Sequence, residues 1–153
     1  MKASKLIALK YLYNEVLIPQ AVYSELVSNR LFQSEAEEIG NCSFIRIVSV
    51  TNTVSVEEFR QNTGLDLGES EAILYAEENR ADILLIDEDA GRRVARSMGI
   101  HIQGTIGILL SAFDRDILSA EDVKDAIEKL KRTHRHISES IYQYALNYIE
   151  SQK

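Results

Sequence analysis

The chain has 153 residues, 45% of them apolar, which suits one domain of ordinary size with a real core over residues 1–153. With 24 acidic residues against 17 basic ones, the formal charge is −7, which argues against nucleic-acid binding driven mainly by phosphate neutralisation. No run of about 18 apolar residues predicts a membrane span, no apolar h-region follows Met1, and the single Cys42 cannot form an internal disulfide, so the expected location is the cytoplasm.

The elements alternate. Residues 4–13 read as an amphipathic helix with Leu6, Ile7, Leu9 and Leu12 near one side. Residues 16–18 are a short apolar strand, and Pro19 stands where a helix would open, at N1, with that helix running to about Ser28. Ser34 with Glu37 forms a capping-box pattern, residues 44–50 read as a second strand, and Ser55 with Glu58 suggests another cap. Asp66 to Glu69 opens a helix to about Asn79. Residues 83–86 are a continuous apolar run, as in a strand covered on both faces. An arginine-rich helix follows to Met98, closed by Gly99, and residues 101–102 are a possible last strand. Gly104 to Gly107 lead into an apolar helix ending near Phe113. Ser119 with Asp122 caps a helix to about Arg132, and Ser138 starts the last helix.

Strands alternating with helices predict an α/β fold with a parallel sheet between helical layers. Ligands of such sheets bind beyond the carboxyl ends of the strands. Asp87 ends the strand at 83–86, and Asp89 lies two residues on. The helix from residue 67 precedes that strand and should run antiparallel to it, which brings Glu69 to the same edge. On a helical wheel Glu69 shares a face with Ala72, Ile73 and Ala76, while Glu71 falls about 200° away, toward solvent. Glu25 stands about two turns into the helix after the first strand. Each acid also has an ordinary explanation: Asp87 as a helix cap, Glu69 as the N3 partner of Asp66, Asp89 as a carboxylate favoured by a helix dipole, and Glu25 as a solvated helix residue. Their convergence favours a divalent cation, because clustered carboxylates repel and hard cations take oxygen ligands.

Leu67-Gly68-Glu69-Ser70-Glu71-Ala72-Ile73, followed by Ala81 to Asp89 and by Gly91-Arg92-Arg93-Val94-Ala95, resembles a branch of the PIN-domain family related to VapC-type toxins. Val16 to Pro19 with Val22, Glu25 and Leu26, and Gly104 to Leu109, fit the same branch. The resemblance runs from about residue 3 to residue 150. It implies a PIN-like three-layer sandwich, a short parallel sheet between helices. It also implies a metal-dependent endoribonuclease using Mg²⁺ or Mn²⁺, often the toxin of a toxin–antitoxin pair, with RNA as substrate and an antitoxin protein as partner; a homodimer is expected on either the active or the inactive reading. Carried over by position, Glu25 resembles the family's second acid, Glu69 or Glu71 the third, and Asp87 with Asp89 the last pair. Spacing permits either glutamate; the wheel favours Glu69. The chain departs from the family at its start. Ala3-Ser4-Lys5 resembles the piece after the family's first aspartate, Lys2 takes that aspartate's place, and the N-terminal strand is missing. That departure supports the alternative of an inactive PIN-like module acting through protein binding or dimerisation. Unfilled, the gap would leave two strand edges open to pairing.

Candidate RNA contacts are Arg92 and Arg93, and the basic cluster Lys131, Arg132 and Arg135 near His134 and His136; solvated helix surfaces explain the same residues. The run 83–89 also looks like the acidic end of a response-regulator receiver strand, but the later aspartate and lysine that a receiver needs are not in place.

Overall fold

The computed structural model describes residues 2–133 and 137–152. The chain forms two compact units, Tyr13–Gly104 and Met1–Leu12 with Thr105–Lys153. The fold is α/β, with many helices and short parallel strands, as the alternation predicts.

The second of these units is helical. Helix α1 (Lys2–Tyr13) contributes Ala8 and Leu12 to its core. Helices α7 (Thr105–Asp114), α8 (Ala120–Arg132) and α9 (Glu139–Ser151) contribute Leu109, Val123, Ile127, Ala145 and Ile149. The last four are fully buried. The caps fall as the sequence predicts. Ser119 and Asp122 form a reciprocal capping box, and the Ser138 hydroxyl accepts from the Ile141 amide.

Tyr13–Gly104 is the α/β unit. Strand β1 (Val16–Pro19) pairs in parallel with β2 (Ile45–Val48), in register Val16 with Ile45. Strand β3 (Leu84–Leu85) pairs in parallel with β4 (Ile102–Gln103), in register Leu84 with Ile102. The strands thus form two separate pairs where a single sheet is expected. Hydrophobic pattern reveals that a segment is a strand but not which strand lies beside it. Helices α2 (Gln20–Ser28) and α3 (Gln33–Asn41) connect β1 to β2, α4 (Thr53–Thr63) and α5 (Leu67–Glu78) connect the two pairs, and α6 (Asp89–Ser97) connects β3 to β4. Helix α5 is the hub, packing on β1, β3, α2, α4 and α6. Its Ile73 is fully buried among Leu65, Ala76, Leu84 and Ala95.

Several helix starts differ from expectation. Helix α3 has Phe32 as its N-cap with no side-chain cap, while Ser34 instead donates to Glu35. The chain enters α3 directly from a single 3₁₀ turn (Arg30–Phe32), which Asn29 caps, so a capping serine is not needed. Helix α4 is capped by Asn52, whose side chain accepts from the Ser55 amide at 3.1 Å. Asparagine is as good a cap as serine, and the acceptor three residues upstream wins. Pro19 is the N-cap of α2 and the last residue of β1, one position before the expected N1.

Candidate active site

The site grows from the first turn of α5. Asp66 caps that helix, its carboxylate accepting from the Glu69 amide at 2.8 Å. This bond satisfies one of the orphan donors of the helix start and places a second acid, Glu69, at N3. The Glu69 side chain then turns inward toward α6. A Cβ added to Gly91 would lie 2.8 Å from Glu69 Oε1 and 2.6 Å from the tip of Ile86, so any larger residue there would displace one of those side-chain ends. A Cβ added to Gly68 would lie 3.2 Å from Glu25 Oε1 and 3.6 Å from Asp66 Oδ1. Glu25 therefore reaches the start of α5 from the second turn of α2.

Three carboxylates, Glu25, Asp66 and Glu69, thus crowd one helix start. The electrostatics follow. Burial first, and then the charge of Asp66, pushes the Glu69 carboxyl above its ordinary range; the bond to Asp66 offsets part of this, and Glu88 and Glu25 push it further up. Burial and then Asp66 likewise raise Glu25. Glu69 Oε1 is shielded from solvent and has no hydrogen-bond partner among the described residues. A bare, shielded carboxylate oxygen is costly unless something positive meets it.

Glu71 is half-buried and does not point to solvent as the wheel suggests. Its Oε2 accepts from the Ala21 amide at 2.9 Å, closing the start of α2. A wheel describes one helix alone, and the neighbouring helix supplies the donor. The two glutamates therefore have different surroundings: Glu69 faces other acids, and Glu71 faces a backbone N–H.

Asp87 follows β3 and is exposed. It is not the cap of α6; Glu88 holds that position, with no side-chain cap bond. Asp87 Oδ1 and Arg92 Nη1 both lie close to Gly104, at 2.9 and 2.8 Å from where its Cβ would be, so a side chain there would push one of those tips aside. Arg92 donates to the Ile86 carbonyl at 2.8 Å. It thus braces the end of β3, which leaves it partly occupied as an RNA contact. Asp89 is exposed in the first turn of α6, and Arg93 is exposed on the same helix. Among the described residues no three His, Cys, Asp or Glu side chains are arranged to hold one metal ion. The structure brings Glu25 and Glu69 together with Asp66 and Glu88. Asp66 is visible in the sequence only as a cap, and Glu88 carries no signal beyond standing between two aspartates.

In the helical unit, Lys131 is tied to Glu139 at 3.0 Å and lies 3.9 Å over the Tyr142 ring. That bond raises its pKa. Arg132 is exposed at the end of α8. His134, Arg135, His136 and the side chain of Lys2 lie outside the described residues. No described helix is long and apolar enough to cross a membrane.

A family model described as a PIN domain matches residues 1–151. No curated protein and no solved structure matches the chain significantly.

Proposed function

The chain belongs to the PIN-domain family, and from that premise we propose that it is a metal-dependent endoribonuclease acting in the cytoplasm, the toxin of a toxin–antitoxin pair, working as a homodimer. Membership supports nuclease-type chemistry on RNA; the acids supply the rest of the case. The observation that carries it is Glu69 Oε1, shielded, without a hydrogen-bond partner among the described residues, and close to further carboxylates. The donors are all hard oxygens, which fit Mg²⁺ or Mn²⁺ and fit no soft metal.

In this reading Glu25 and Glu69 hold the cation, with Asp87 and Asp89 completing its surroundings from the end of β3 and the start of α6. When bound, a divalent ion polarises a phosphoryl oxygen and makes water a nucleophile near neutral pH. The chain's own residues do the remaining work. Glu25 and Glu69 would hold the cation as carboxylates, since a coordinating carboxylate must be ionised. Gly91 and Gly68 keep the space around the two glutamates open. Arg93 on α6 and Arg132 on α8 are exposed cations suited to RNA phosphates. The purified chain should cleave RNA with Mn²⁺ or Mg²⁺ and stop with a chelator. Glu69→Gln should lower cleavage by about 100-fold or more, whereas Glu71→Gln should leave it within about threefold. Equal activity of Glu69→Gln and the parent would overturn the assignment.

A second reading is a PIN-like module that binds protein and does not cut. One observation favours it: Glu25 and Glu69 lie at the start of α5, while Asp87 lies against Gly104. Full folding with no cleavage under any divalent cation would select it.

A further inference from the structure

The three arginines of α6 differ in their surroundings. Arg93 and Arg96 are exposed, whereas Arg92 is half-buried and reaches back to the end of β3. There the Ile86 N–H donates to the Gln103 carbonyl at 3.0 Å, which ties Ile86 to β4. The Ile86 carbonyl accepts from Arg92 Nη1 at 2.8 Å, which ties it to α6. A hydrogen bond from a charged donor is about twice as strong as one between neutral groups.

Ile86 stands between two acids of the candidate site. Its side-chain tip and Glu69 Oε1 converge on Gly91, at 2.6 and 2.8 Å from where a Cβ would be. Asp87 is the next residue in the chain, and the peptide plane that carries the Ile86 carbonyl also carries the Asp87 N–H. A hold on that carbonyl is therefore a hold on the Asp87 backbone. Asp87 Oδ1 and Arg92 Nη1 converge in turn on Gly104, at 2.9 and 2.8 Å from its Cβ position. The guanidinium thus restrains Asp87 through the peptide plane and sets a positive charge near its carboxylate. Gly91 directly precedes Arg92 on α6, so one turn of that helix both makes room for Glu69 and restrains Asp87.

We propose that Arg92 is a positioning residue of the candidate cation site: through the Ile86 peptide it sets Asp87 relative to Glu69, and it makes no contact with RNA. To serve a phosphate, Arg92 Nη1 would have to release the carbonyl. A lysine does not replace it, because an ammonium is a point charge without the flat fork that reaches two groups at once. The inference rests on reading these acids as the cation site of a nuclease. Its main readout, cation affinity, needs no RNA and no cleavage.

The test compares Arg92→Ala, Arg92→Lys, Gly104→Ala and Arg93→Gln with the parent 153-residue chain. Calorimetry without RNA should show Mn²⁺ binding weakened about tenfold in both Arg92 variants, and added guanidinium ion should partly restore Arg92→Ala. Gly104→Ala, whose methyl group pushes the Arg92 or the Asp87 tip aside, should weaken Mn²⁺ as well, and it carries the test if Arg92→Ala does not fold. Arg93→Gln should leave Mn²⁺ binding unchanged. Fluorescence anisotropy with RNA in chelator should reverse that order: affinity falls about threefold in Arg93→Gln and stays within about twofold in the Arg92 variants. In cleavage assays Arg92→Ala should lose about 100-fold in kcat with KM little changed. A parent that binds no Mn²⁺, Mn²⁺ affinity unchanged in Arg92→Ala and Gly104→Ala, or metal-free RNA binding lost in the Arg92 variants would each overturn the proposal. A parent that binds Mn²⁺ and cuts no RNA overturns the nuclease reading alone, and the Mn²⁺ titrations then decide the role of Arg92.

Discussion

The two compact units solve the problem of burial differently. The helical unit closes on itself: Val123, Ile127, Ala145 and Ile149 are all fully buried, and its helices α8 and α9 start with side-chain caps. The α/β unit does not. Every residue of β1 is only half-buried, each strand has a single ladder partner, and Ser70, fully buried, has a hydroxyl without a hydrogen-bond partner among the described residues. A helix satisfies its own backbone, so a helical core needs only apolar side chains. A strand needs a neighbour, and its stability depends on what lies beside it. Unsatisfied groups in the α/β unit gather around α5, where the acids are, which is where a ligand site is expected to hold its stored cost.

The largest test of this contrast is Ile127→Ala. It should cost about 2–5 kcal/mol, because a rigid helical core cannot collapse on the cavity. Leu17→Ala, on half-buried β1, should cost about 1 kcal/mol. Urea denaturation of both variants measures the difference, and equal costs would break the comparison.

Glu71→Ala comes next. Loss of the bond to the Ala21 amide should cost about 1–2 kcal/mol through α2, with no change in affinity for a divalent cation. Calorimetry of unfolding and of Mn²⁺ binding together check both halves. A loss of cation affinity would place Glu71, and not Glu69, in the site.

Ser70→Ala should be neutral or stabilising by up to about 1 kcal/mol, since it removes a buried hydroxyl that no described group meets. A marked loss of stability would mean that the hydroxyl has a partner in solution.

The smallest effect is that of pH. Glu69 and Glu25 are raised above the ordinary 4.5 in the folded chain. Such groups contribute stability that is fully present below their unfolded pKa and is lost as pH rises through the folded value. The metal-free chain should therefore lose their contribution between about pH 4.5 and the raised value. Glu69→Gln should flatten this dependence and raise the melting temperature at pH 7 by about 2 °C. A divalent cation should reverse the sign for the parent, because it binds the ionised form.

Much of the fold was legible in the residues. The periodicity of residues 4–13, the capping box at Ser119 and Asp122, the Asp66 cap and the apolar run at 83–86 are all local signals, and each marks an element that exists. The inward turn of Glu69 was legible too, because its face is shared with Ala72, Ile73 and Ala76, and Ile73 is the buried centre of its core. The caps of α3 and α4 were not, because several polar residues compete at each start and the wheel or pattern does not rank them. Glu71 was misplaced for a related reason: its partner, the Ala21 amide, is 50 residues away.

The sequence by itself determined the α/β class, the order of the elements, and which acids fall near strand ends, since these depend on contacts within a turn or two of the chain. Only the tertiary structure decided that Glu69 meets Glu25 and Asp66 while Glu71 closes a helix. It alone decided that Gly68, Gly91 and Gly104 lie against charged side-chain ends, and that β1 and β3 line one cleft. Those facts depend on which distant segments pack together, and periodicity carries no information about that.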